Sequence, residues 1–300
     1  MSVQPPETDD SLADPSAGHR INHIQLAVVT ALLGGVLAAG SYVGPIGLLV
    51  GIAVVQAIVV PSAVLGTGLP GRIGAVLLGL LAAAGADVTM THWHTSGYSP
   101  VLGVLGVAIP VMFFHQLTRG VVRTRVVESL AGITVLLIAV TALTGLIVLR
   151  QQGNGKTVTL TLIGAITAGL VAAHFADAVL PAPRFDPEID RGLPAVLAGL
   201  IVGGGVGVLG LRNIVDFAGG RAVFVGAAVA AVGCLLSIGA TFAESRTLVP
   251  AADEPVEPGE PLQVPEVSPG LARLRPAAAA GLTLALTIPA AYVLTNALTS

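Results

Sequence analysis

The chain has 300 residues, of which 54% are hydrophobic and 10% charged, with a net charge of −3 and a mean hydropathy of +0.88. A soluble domain carries about 25% charged residues, so this composition excludes a water-soluble globular protein. The absence of a basic block excludes a nucleic-acid partner, and a single cysteine, Cys234, excludes an internal disulfide or a thiolate metal cluster.

Residues 1–23 open with Glu7, Asp9, Asp10 and Asp14 among prolines. This is the composition of a disordered tail and not the basic start of a cleaved signal peptide. Nine apolar segments follow: Ile24 to Val43, Pro45 to Leu65, Gly71 to Met90, Val101 to Leu117, Val126 to Leu149, Val158 to Leu180, Leu193 to Leu211, Ala222 to Ala243 and Ala277 to Leu298. Each approaches the roughly 20 residues a helix needs to cross the hydrocarbon core. The expected fold is therefore all-α, a polytopic bundle of about nine transmembrane helices. Pro61, Pro110 and Pro289 fall inside segments, where neighbouring helices and hydroxyl side chains can satisfy the freed backbone groups. Gly199, Gly203 and Gly207 recur at four-residue steps, which puts glycine on one helix face for close backbone approach.

Counting Lys and Arg by alternate loops fixes an expected orientation, because positive charge is retained in the cytoplasm. With the N-terminus inside, one side collects Arg20, Arg72, Arg119, Arg123, Arg125, Arg184, Arg191, Arg246, Arg273 and Arg275, and the other only Arg150, Lys156, Arg212 and Arg221. The split predicts an N-in, C-out topology. The organisation read from the chain is a tail over 1–23, four helices over 24–118, four more over 119–244, a loop over 245–276 and a last helix over 277–300. That loop holds Asp253, Glu254, Glu257, Glu260 and Glu266 among prolines and is expected to be a mobile cytoplasmic strap. A lone lysine against thirteen arginines, with abundant alanine, glycine and valine, is an actinobacterial-type composition of the kind a GC-rich coding bias produces. It points to a bacterial plasma (inner) membrane.

From Arg119 onward the layout carries a resemblance. A basic loop leads into Arg125-Val-Val-Glu128-Ser129-Leu-Ala-Gly132; the next helix ends Ala173-His174-Phe175-Ala176-Asp177-Ala178; then come Arg184-Phe-Asp186-Pro187-Glu188-Ile-Asp190-Arg191-Gly192 and Gly239-Ala-Thr-Phe-Ala-Glu244-Ser245-Arg246. In this order the chain resembles the phosphatidate cytidylyltransferase (CDP-diacylglycerol synthase) superfamily. There the corresponding stretches are Asp-x-x-Ala-Tyr, a Ser-Pro-x-Lys-Thr-x-Glu-Gly loop and Gly-Asp-Leu-x-Glu-Ser. Pro187 and Gly192 are kept and the lysine is not. Where the family has Pro-Gly-His-Gly-Gly and Asp-Arg-x-Asp, this chain reads Ser268-Pro269-Gly270-Leu-Ala-Arg273-Leu-Arg275-Pro276.

Cytidylyl transfer joins two phosphates, and divalent ions and cationic side chains must neutralise the developing charge. The resemblance thus implies an inherited scaffold without the inherited reaction: a catalytically degenerate, lipid-binding accessory protein or partner subunit with no cofactor and no catalytic residues. The alternative it leaves is an active transferase using Mg2+ held by Asp186, Glu188, Asp190 and the acidic strap. A small transporter is a further alternative, expected if His174 and Asp177 line a water-filled path.

The site candidates follow from charge and depth. Arg119, Arg123, Arg125, Arg184 and Arg191 are candidates for an anionic phospholipid headgroup, with a membrane-protein partner as the other expected contact. His174, Asp177, Glu128 and Glu244 are the intramembrane polar candidates. His174 and Asp177 share a helix face and are either a functional pair or an interfacial one capped by water or Arg184. Glu128 also suits the first turn of a helix, beside Arg123 or Arg125. Asp87, His92 and His94 surround Trp93 and are candidate metal ligands, although Trp93 and Tyr98 read as interfacial anchors.

Overall fold

The computed structural model describes residues 22–93, 97–119, 126–180, 183–186, 189–218, 220–248 and 267–299. In these residues the elements run α1 (His23–Val43), α2 (Pro45–Gly66), α3 (Arg72–His92), α4 (Ser99–Leu117), α5 (Val126–Ala142), α6 (Gly145–Gln151), α7 (Gly155–Val179), β1 (Arg184–Asp186), β2 (Ile189–Gly192), α8 (Leu193–Leu211), α9 (Arg221–Leu248), α10 (Pro269–Ala272) and α11 (Arg275–Thr299). Among the described residues nine helices are long and apolar enough to cross a membrane, with α5–α6 and α10–α11 each forming one span. The protein is a multi-pass, all-helical membrane protein. A chain in hydrocarbon must satisfy its backbone hydrogen bonds internally, and the helix does this within one segment.

Contacts between span ends show that successive spans alternate in direction. The end where α1 begins, here the proximal end, joins the close of α2 to the start of α11 through Arg275 Nε donating to Gly66 O at 3.0 Å. It joins the close of α4 to the start of α5 through Gln116 Nε2 donating to Ser129 Oγ at 2.7 Å. At the distal end Gln152 Nε2 donates to Asn296 Oδ1 at 2.9 Å, tying the close of α6 to that of α11. Arg72, Arg119, Arg184, Arg191, Arg273 and Arg275 therefore belong to the proximal end, and Arg150, Lys156, Arg212 and Arg221 to the distal one.

The span expected as one helix from Val126 to Leu149 is interrupted. Thr144 N–H donates to Thr141 O, Leu146 N–H to Leu143 O and Ile147 N–H to Thr144 O. These are i→i−3 bonds, a tightened turn between α5 and α6 that keeps the backbone paired. The Thr144 hydroxyl adds a bond to Thr141 O at 2.7 Å. Ile133, Leu136, Leu137, Leu143, Leu146 and Leu149 on this span are fully buried, so it is the central helix of the bundle.

To one side of it, α7, α8 and α9 form a tight seam lined with small residues. A Cβ added at Gly169 would meet Ala230 Cβ and Gly199 O; one at Gly203 would meet Ala230 Cβ and Gly226 O; one at Gly207 would meet Ala222 O. The four-residue glycine repeat thus does what its spacing predicts, bringing backbones together where any side chain would hold them apart. The segment between α7 and α8 is not a plain loop: β1 and β2 pair antiparallel, with Arg184 opposite Gly192 and Asp186 opposite Ile189. Of the strap expected over 245–276, residues 249–266 lie outside the described residues, and α10 forms its last part.

Gly203→Leu should force the seam open and lower the stability of the detergent-solubilised protein by roughly 1–3 kcal/mol, the usual range for overpacking. Gly205→Leu, where an added Cβ meets nothing within 4 Å, should leave the thermal midpoint close to the parent. Equal midpoints for the two variants would refute the seam.

Candidate functional site

The strongest concentration of ionisable side chains inside the bundle lies at the proximal end, where α7 closes. His174 and Asp177 are three residues apart and so share one helix face. That face turns inward: their relative exposures are 1% and 5%, while Phe175 between them is 61% exposed. The hairpin then folds back and carries Arg191, 3% exposed, into the same space. Arg191 Nη1 donates to His174 Nδ1 at 2.9 Å and to Asp177 Oδ2 at 3.1 Å, and Nη2 donates to Ser237 Oγ on α9 at 2.7 Å. The second carboxylate oxygen, Asp177 Oδ1, accepts from Gly192 N–H at 3.1 Å.

The arrangement assigns roles to each group. A guanidinium has no acceptor, so the His174 Nδ1 facing it must be the acceptor and the neutral ring carries its proton on Nε2. Burial pulls the Arg191 guanidinium below its ordinary value, and the Asp177 carboxylate opposes that pull; a guanidinium keeps its proton in proteins. One carboxylate and one guanidinium leave the cluster neutral, the condition under which buried charges are tolerated.

His23, at the start of α1, completes the group. Its ring centroid lies 6.5 Å from that of His174, and one donor atom each from His23, His174 and Asp177 lie within 4.8 Å of one another. By donor type this trio suits a transition metal. The Arg191 guanidinium, however, already bonds two of its three members and supplies the positive charge an ion would bring. A divalent ion beside it would leave uncompensated charge in a buried space, so these residues do not fit a resident metal with Arg191 in place.

The remaining candidates from the sequence are dispersed. Arg191 is buried and ion-paired with Asp177. Arg184 is exposed on β1. Arg119 donates through Nη1 to Gln116 Oε1 at 2.7 Å. Glu128 sits in the first turn of α5. Asp87 points into the core, where Gln56 Nε2 donates to it at 3.3 Å and to Val140 O at 3.0 Å. His92 instead turns back on its own helix, its Nδ1 3.0 Å from Val88 O and 3.1 Å from Thr91 Oγ1, so the two are directed to different partners. His94, Arg123 and Arg125, and the side chains of Asp186, Asp190 and Glu244, lie outside the described residues.

The sequence reading missed His23, Gln56 and Ser237 as members of these networks. Gln56, a lone amide in an apolar span, carried a signal that was available; His23 and Ser237 are ordinary residues at span ends and carried none. Neither a protein-family model nor a curated protein matches the chain.

Arg191→Met should strand the Asp177 carboxylate in a buried site and destabilise the protein by roughly 3–5 kcal/mol, read as a marked fall in thermal midpoint. Arg191→Met combined with Asp177→Leu should recover most of that loss. A single variant as stable as the parent would show that the pair does not hold the end of α7.

Proposed function

We propose that this protein is a non-catalytic, lipid-binding accessory or partner subunit of the bacterial plasma membrane, built on a cytidylyltransferase-like scaffold that has lost the reaction. The observation that carries the reading is the ion-paired network at the end of α7. The resemblance sets this helix end against the family's Asp-x-x-Ala-Tyr stretch. Here Asp177 turns inward and both of its oxygens accept protein hydrogen bonds.

Phosphoryl-type transfer depends on cations and metal-holding carboxylates that face the nucleotide, and a carboxylate neutralised by Arg191 inside the bundle does not offer that. The collection of arginines at the proximal end supports an anionic phospholipid as the partner and a cytoplasmic location for that end. The proposed orientation is the N-in, C-out topology expected from the Lys and Arg count.

Purified protein incubated with CTP, phosphatidic acid and Mg2+ should release no more pyrophosphate than a protein-free control. Magnesium-dependent formation of CDP-diacylglycerol above that control would overturn the reading and restore the transferase.

A further inference from the structure

Helices α3 and α4 stand apart from the tight part of the bundle. Between them runs an open groove of about 710 Å3. Its walls are almost wholly apolar or small, and it extends from Leu78 on α3 to Trp93 just past that helix, with Val104 and Val111 among the facing residues of α4. Fifteen residues of helix rise roughly 22 Å, more than the roughly 15 Å half-thickness of a hydrocarbon core. A single acyl chain from the proximal leaflet can lie in this groove along its whole length.

The same helix faces continue to the proximal end and change character there. One turn below Leu78 on α3 is Gly74, and one turn beyond Val111 on α4 is His115. The imidazole packs on Gly74, where a Cβ would collide with the ring. Beyond it opens a cleft of about 640 Å3 lined by Gly68 to Gly74 and His115. Gly68 and Gly71 turn the chain through left-handed backbone, φ 70° and 74°, which glycine adopts without a Cβ penalty.

Arg72 lines the cleft and is exposed, and the side chain of Arg119 runs across Gly71. His115 Nε2 is buried at this point with no hydrogen-bond partner among the described residues. No carboxylate lines the cleft among the described residues. The apolar slot and the cleft therefore follow one another along the same two helices, separated by the His115 ring, and the cleft is bordered by two arginines and an unsatisfied imidazole nitrogen.

We infer that the α3–α4 groove and the Arg72–His115–Arg119 cleft together form a docking site for one anionic phospholipid, its phosphate at the cleft and one acyl chain between the helices. This rests on the lipid-binding reading above and gives it an address. Charge complementarity selects the occupant: a second helix would fill the slot but leave the cations and the His115 nitrogen without an anion, whereas a phospholipid meets both ends at once.

The test is lipid retention by native mass spectrometry after reconstitution with equimolar phosphatidylglycerol and phosphatidylcholine. The parent should retain phosphatidylglycerol selectively. Arg72→Gln with Arg119→Gln should reduce that retention roughly ten-fold. Gly85→Leu and Gly103→Leu, which fill the groove and leave the cleft intact, should each reduce it comparably, while Gly106→Leu, outside the groove, should not. Thermal midpoints identify any variant that has simply failed to fold, and two groove variants guard against losing one.

Selective retention by the parent that survives both the double-arginine and the groove changes overturns this site and leaves the lipid-binding reading standing; no retention by the parent overturns both. Thermal protection by inorganic phosphate equal to that by phosphatidylglycerol overturns the groove half of the site, and a stoichiometric protein subunit displaced by Gly85→Leu without any lipid overturns the choice of occupant.

Discussion

The guanidinium of Arg191 enters the bundle on a hairpin, and once there its charge has to be matched within the protein. Asp177 provides the match from α7, His174 and Ser237 accept one N–H group each from Nη1 and Nη2, and Gly192 N–H donates to the second carboxylate oxygen. Three elements are thereby fixed to one another by a group that cannot lose its proton. Breaking any one contact leaves a buried charge or a buried donor alone, and that asymmetry makes the network structural even where a fully apolar replacement would be equally stable.

This pin works because the helices around it can approach closely. The glycine and alanine seam of α7, α8 and α9 lets backbones meet without intervening side chains, and dispersion between close-packed atoms is the main attraction available where lipid is as apolar as protein. The α5–α6 span, the most buried of the nine, offers the other half of the bundle its core. By contrast α4 is the least buried of the nine spans, and the glycines it carries face open space. The molecule thus divides into a rigid side, where polar groups are spent internally, and a loose side, where cavities and cations remain available to a ligand.

The nine spans were legible in the sequence because the bilayer imposes a length and a polarity that no folding detail can relax. Gly199, Gly203 and Gly207 were legible for a similar reason: their spacing alone places them on one face. Arg191 was not. Read along the chain it belongs to a charged inter-helical segment, like Arg184, and only the hairpin register sends one of them inward and leaves the other exposed. The turn at Leu143 and Thr144 was hidden for a different reason, since a tightened turn keeps both hydropathy and hydrogen bonding intact and so leaves no trace in either. Asp87 and His92 looked like neighbours because five residues separate them, yet the helix points one at Gln56 and the other at its own backbone. The resemblance to the cytidylyltransferases rests on layout and on scattered short matches, and layout says where a polar residue sits along a span without saying which way it faces.

The hairpin also orders events in time. Asp177 and Arg191 are separated by 14 positions, so both members of the pair are present in the chain once β2 is complete. The two charges can enter the lipid phase already mated, as one unit with α7 and the start of α8. Ser237, 46 residues beyond Arg191, comes to the joint on α9, the last of its three elements in chain order.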